Sequence, residues 1–129
     1  MKKLFSVVTL SLLLVGCATT PEGPRWSRCE VFFGLSRPNG PAITSAEWQS
    51  FVNEVVTPKF PAGLTIVDST GQWRNSTGRI EHEPSKVLLL LHPVSPAIDA
   101  KIDEVRALYC QRFNQEAVMK VTSPAYVDF

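Results

Sequence analysis

The sequence predicts an α+β domain of ferredoxin-like βαββαβ architecture, a four-stranded antiparallel sheet with two helices on one face. Three observations carry this. The apolar periodicity switches along the chain in the order strand, helix, strand, strand, helix, strand. Each helical pattern lies where a crossover between strands is needed, and right-handed crossovers place both helices on the same side. The third strand segment, Lys86 to Leu91, is the most apolar of the four, as befits one of the two central positions.

The first strand runs from Cys29 to Ser36. Val31, Phe33 and Leu35 face the helices, while Glu30, Phe32, Gly34 and Ser36 face away. Arg37-Pro38-Asn39-Gly40-Pro41 is turn chemistry. The first helix opens with Thr44 as N-cap and Glu47 three residues on, a capping box, and with Ile43 and Trp48 as a hydrophobic staple. Trp48, Phe51, Val52 and Val55 form its apolar face. Pro58 is expected to end it by forcing Thr57 out of helical geometry.

Leu64 to Asp68 reads as the second strand. Ser69-Thr70-Gly71 marks a bend, and Gln72-Trp73-Arg74 extends the strand. Asn75 to Gly78 is a turn, and the third strand culminates in Lys86 to Leu91. The second helix has Ser95 as N-cap and Pro96 at its first position. Its stripe is Ile98, Ile102, Val105, Tyr109 and Phe113. A strand from Ala117 to about Thr122 closes the fold, with Pro124 suiting an edge position.

Upstream of the domain, Lys2-Lys3 precede an apolar run from Leu4 to Val15. That run is short of the roughly 20 residues of a membrane span and has the form of a secretory signal. Leu14-Val15-Gly16-Cys17 resembles the bacterial lipobox. The resemblance implies a signal peptide over 1–16, cleavage before Cys17, a diacylglyceryl group on its sulfur and a further acyl chain such as palmitate on its amino group. Several chains make a stable anchor where one does not. Residues 17–28 then form a lipidated tether, rich in Pro, Gly and small polar residues, with a mean reach of roughly 17 Å. The single domain occupies 29–129. Ala18 after the cysteine favours the outer membrane, facing the periplasm, in a Gram-negative cell.

Without Lys2 and Lys3 the chain carries 11 Lys and Arg against 12 Asp and Glu. This balance gives no basic excess for nucleic acid and no polybasic membrane patch. In an oxidising compartment the two remaining cysteines, Cys29 and Cys110, are disulfide candidates. The pairing assumes that the second helix runs antiparallel to the first strand.

Phe33-Gly34, Trp48, Phe51, Thr57 through Thr65, Gly71-Gln72-Trp73-Arg74, Glu83, Tyr109 and Phe113 through Val118 together resemble a family of small secreted bacterial proteins. That family is catalogued only as a domain of unknown function. The resemblance implies an exported domain of this fold and no activity.

Familiar catalytic and cofactor signatures are missing, so no cofactor and no metal is expected. Glu81, His82 and Glu83 do not make a metal site, because on a strand the histidine faces away from the carboxylates. Trp73, Arg74, Glu83 and Lys86 lie on two strands of one hairpin and form a candidate recognition cluster; cross-strand packing and charge pairing account for them better. The apolar run Val87 to Leu91 places side chains on both faces of a central strand. Phe32, Leu88 and Leu90 are expected on the face without helices, where a homodimer partner, a small ligand or the chain's own tail would cover them. These features favour a non-catalytic envelope lipoprotein that works by binding. The alternative is a small cofactor-free oxygenase or isomerase of the dimeric ferredoxin-like type, with His92, Tyr109 or Glu83 as polar groups in a pocket.

Overall fold

The computed structural model describes residues 26–74 and 76–129. The expected signal peptide, Cys17, the expected tether up to residue 25, and Asn75 lie outside the described residues. The elements are β1 (Trp26–Gly34), α1 (Ser45–Phe51), a π-helical turn (Val52–Val56), α2 (Thr57–Lys59), β2 (Thr65–Arg74), β3 (Ile80–Pro93), α3 (Pro96–Phe113) and β4 (Met119–Ala125). The sheet order is β2-β3-β1-β4 with every neighbouring pair antiparallel. This is the ferredoxin-like arrangement, with β1 and β3 central.

Several boundaries differ from expectation. Trp26, Ser27 and Arg28 belong to β1 rather than to a tether, since they pair with Pro93, His92 and Leu91 on one side and with Ala125, Pro124 and Ser123 on the other. β2 shows no bend at Ser69-Thr70-Gly71; its pairing with β3 is unbroken from Thr65–Leu89 to Arg74–Ile80. Beyond the end of β1, Thr70 to Arg74 and Ile80 to Pro84 continue as a two-stranded arm.

The N-terminus of α1 is built as the sequence predicts. Glu47 N–H donates to Thr44 Oγ1 at 3.2 Å, and Thr44 N–H donates to Glu47 Oε2 at 2.8 Å. Pro58 does not stop the helix. Thr57 keeps helical angles, and its N–H bonds to the Val52 carbonyl across the wide π turn. A proline is tolerated in the first turn of a helical segment, and the π turn lets α2 begin there.

The core lies between the sheet and the helices. Phe33, Trp48, Phe51, Tyr109 and Phe113 form one aromatic network, with Phe33 and Tyr109 centroids 4.7 Å apart. Val31, Leu88, Leu90, Ile102 and Val105 extend it along the sheet. Asn114 ends α3 in the left-handed region at φ 53°, doing what a glycine usually does there. Arg106 then donates twice to the Val118 carbonyl, tying α3 to the approach to β4.

α3 follows β3 and reverses its direction, so it runs parallel to β1. Asp99 and Asp103, near its start, lie close to Cys29. Tyr109, near its end, donates to the Gly34 carbonyl at 2.7 Å. Cys110 is therefore displaced from Cys29 by about seven residues of helix, roughly 10 Å. The expected Cys29–Cys110 disulfide does not form, and both are free thiols. Burial pushes the Cys29 thiol up from its ordinary value, against a weak bond from Thr122.

Candidate functional site

In an antiparallel sheet, directly paired residues share a face. The registers therefore lay out the helix-free face row by row. Leu91, Arg28 and Ser123 form one row. Thr65, Leu89, Glu30 and Val121 form the next, followed by Val67, Val87, Phe32 and Met119. The last of these is apolar across all four strands. Val67 is 47% exposed and Met119 57%, and Leu91 and Val121 are similarly open. Further along β3 come Ser85 beside Ser69 and Gly34, then Glu83 beside Gly71, then Glu81 beside Trp73, which is itself 47% exposed. One face thus carries apolar side chains from Leu91 to Val87, and Trp73 stands on the arm beyond a stretch of small and polar residues.

Phe32 sits on this face as expected. Leu88 and Leu90 do not: they are 1% and 3% exposed, paired with Val31 and Cys29 on the helix side. Their odd-numbered neighbours Val87, Leu89 and Leu91 take the open face. A run of five apolar residues has no period-2 signal of its own, so its phase had to come from β1 pairing. Met119, Val121 and Val67 went unnoticed because each lies in an outer strand of mixed composition, among polar residues and beside apolar residues such as Ile66 and Val118.

The Trp73, Arg74, Glu83, Lys86 cluster is split. Trp73 and Glu83 share the open side of the hairpin, whereas Arg74 and Lys86 share the helix side, where Lys86 pairs with Asp68. The one-residue step between Trp73 and Arg74 turns them to opposite faces. Glu83 curls over Gly34 and accepts the Ser36 N–H at 3.1 Å. A Cβ at Gly34 would lie 2.5 Å from Glu83 Oε1, so a side chain there would displace the carboxylate. Gln115 closes the same corner by donating to the Ser36 carbonyl at 2.7 Å. Gly34, Glu83, Tyr109 and Gln115, all in the motif that carries the family resemblance, therefore act together as a latch between β1, β3 and α3.

His92 lies at the other end of β3, nine positions and roughly 30 Å from Glu83. It is buried on the helix side, its Nδ1 2.8 Å from the Pro93 carbonyl. His82 pairs with Gln72 on the helix side of the arm, with Glu81 and Glu83 on the other. Among the described residues no group of three or more His, Cys, Asp or Glu is placed to hold a metal ion.

Comparison with known proteins gives a family and a fold. The model of a family described as "Protein of unknown function (DUF3574)" matches residues 28–129. No curated protein matches by sequence. Among solved structures, a phage SAM lyase in complex with S-methyl-5'-thioadenosine is similar with a TM-score of 0.58 at 18% identity, over 78% of this chain and 81% of that one. The same phage lyase in its apo state gives 0.59 at 17%, over 81% and 85%. CutA from Synechococcus elongatus gives 0.50 at 12%, over 80% and 79%. At these identities the likeness is one of fold.

Proposed function

The chain belongs to the DUF3574 family. From the lipobox-like Leu14 to Cys17 we propose that it is a cell-envelope lipoprotein anchored through Cys17, and from the geometry of its sheet that it acts as a non-catalytic interaction module. The observation that supports the interaction reading is the apolar row Val67, Val87, Phe32 and Met119 on the face without helices. Its occupant in this reading is a second copy of the chain.

The size of the face is consistent with that partner. Four strands span roughly 19 Å, and Leu91 to Ser85 covers about 20 Å. With the arm added, the flat area is on the order of 500–600 Å², before side-chain relief, against about 800 Å² per partner in a standard interface. Val67, Trp73, Leu91, Met119 and Val121 are each about half exposed, so completing their burial contributes roughly 1 kcal/mol apiece, about 10 kcal/mol over two copies. Association itself costs about 4–15 kcal/mol. The balance is a weak dimer in solution. Anchoring raises the local concentration, so a weak face-to-face contact is sufficient on a shared membrane.

The test uses the mature chain, residues 17–129, with Cys17→Ser. Light scattering at rising micromolar concentration is expected to show monomer passing to dimer. Val67→Asp with Met119→Asp, both at exposed positions, should hold it monomeric with little change in unfolding midpoint. A wild-type chain that stays monomeric to about 500 μM, well above the micromolar range expected for a weak contact, refutes the self-association. For the anchor, acyl mass on Cys17 in membrane extracts is the expected result, and its absence refutes the lipoprotein reading.

The enzyme alternative, a small cofactor-free oxygenase or isomerase, rests on analogy of fold alone. Its three candidate groups do not converge. Tyr109 is fully buried with its hydroxyl committed to Gly34, Glu83 holds Ser36, and His92 is at the opposite end of the sheet.

A further inference from the structure

The two ends of the domain differ in what they show to solvent. At the end where β1 stops, the surface is charged, with Arg37 paired to Glu47 and Arg112 to Glu54. At the end where β1 starts, Trp26 pairs with Pro93 on one side and with Ala125 on the other. The chain just past those two partners carries the most exposed large apolar side chains among the described residues. Val94 is 61% exposed, Tyr126 82% and Phe129 105%. Phe129 also meets Trp26 edge to face, with ring centroids 5.7 Å apart. Exposed Pro61 and Ala62 line the same cleft as Trp26 and Phe129, so the turn before β2 belongs to this end too.

The charges at this end do not add up to a basic patch. Lys59 is paired with Glu104 at 2.8 Å, and Lys101, Asp99 and Asp128 leave no cationic excess. Cys17 lies nine residues before Trp26. A chain of that length spans at most about 30 Å and on average roughly 17 Å. β3 alone, at 14 residues, is about 46 Å long. An anchor at Cys17 therefore keeps the Trp26 end beside a bilayer. The tip of the arm reaches the same surface only if the domain lies down.

We infer that this end of the domain docks on the bilayer surface, with Val94, Tyr126 and Phe129 inserted among the headgroups and upper acyl chains. The inference rests on the anchored reading proposed above. Tyrosine, with an apolar ring and a polar tip, suits a boundary that is dry on one side and wet on the other. Without a cationic excess the contact is apolar and does not select anionic lipid. Docked this way, the strands stand up from the membrane. The row Val67, Val87, Phe32 and Met119 then faces sideways, toward neighbouring copies.

The test supplies a synthetic anchor, so it does not depend on acylation in the cell. Residues 17–129 carrying Cys110→Ser are coupled through Cys17 to a maleimide phospholipid in phosphatidylcholine vesicles. Cys29 is fully buried and does not compete for the label. Tryptophan quenching by lipid brominated near the headgroup is then read in two variants, both of which keep the buried Trp48. Trp73→Phe leaves Trp26 as the reporter and is expected to be quenched. Trp26→Phe leaves Trp73 on the arm and is expected not to be. Adding Val94→Asp and Phe129→Ser to the first variant, both at exposed positions and with the tether unchanged, should lower the docked-to-free ratio at least about ten-fold. Adding phosphatidylglycerol should not raise that ratio. Quenching of Trp26 that survives the two substitutions shows that the tether alone brings it near, and overturns the proposal. Absence of Trp26 quenching overturns it too, as does quenching that needs phosphatidylglycerol. Quenching of Trp73 would mean that the open sheet face lies on the bilayer, and also overturns it. Acyl mass on Cys17 from cells reports on the natural anchor separately, so the two readings fail by different results.

Discussion

Gly34→Ala, made with and without Glu83, tests the latch that joins β1, β3 and α3. An alanine methyl at this position would lie 2.5 Å from Glu83 Oε1 and 2.9 Å from its Cδ. Ordinary contact needs about 3.5 Å, so the carboxylate has to retreat by about 1 Å. It is the end of a flexible side chain and can do so, but it then gives up the Ser36 N–H at 3.1 Å. A hydrogen bond to a charged group is worth about 1.5–3 kcal/mol, and the partly exposed setting puts this one at the lower end. Alanine in place of glycine returns about 0.4–1 kcal/mol by restricting the unfolded chain. The expected net loss is about 1 kcal/mol. In a Glu83→Ala background nothing obstructs the methyl, and Gly34→Ala should stabilise by about 0.4–1 kcal/mol. Urea unfolding of the four proteins, followed by tryptophan fluorescence, closes the cycle. An equal cost of Gly34→Ala in both backgrounds refutes the latch.

Three further outcomes are expected. Tyr109→Phe removes the donor to the Gly34 carbonyl and should cost about 1–2 kcal/mol. Burial pushes the Tyr109 phenol well above its ordinary value, so the unfolded chain loses this proton first, and the wild type should lose more stability than the variant as pH rises above 10; equal alkaline slopes in thermal melts would contradict this. The Thr44 N–H and the Arg37 guanidinium hold the Glu47 carboxyl down at about 2, from an ordinary 4.5. That contribution is present above pH 4.5 and is lost as pH falls toward 2, so Glu47→Gln should flatten the acid limb of a stability–pH curve, and an unchanged limb argues against it. Thiol titration of the native mature chain should label Cys110 readily and Cys29 only on unfolding, and a mass 2 Da below the reduced value would show the disulfide instead.

The capping box, the helix stripes and the central place of the third strand were legible because each rests on local spacing. Thr44, Glu47 and Trp48 need no tertiary information to be read. The phase of Val87 to Leu91 was not legible, since five consecutive apolar residues fit either face; only pairing with Cys29, Val31 and their neighbours decides it. The direction of α3 was available from topology alone, because a helix after β3 must reverse it, and the disulfide expectation failed by overlooking this. Pro58 misled because the compensating π turn at Val52–Val56 has no sequence signature of its own.

β4 is one of the two outer strands, and it carries Pro124 within its pairing to β1. Proline has no N–H, so the outer rim of the sheet is interrupted there as a template for another strand. The rim and the apolar face therefore lead to different kinds of growth. Strand addition at a rim leaves a new rim and can continue into a fibre. Two faces pressed together leave no face over, and the assembly terminates. On the proposed membrane anchor, where chance encounters between copies are frequent, one imino acid interrupts open-ended growth at the β4 rim.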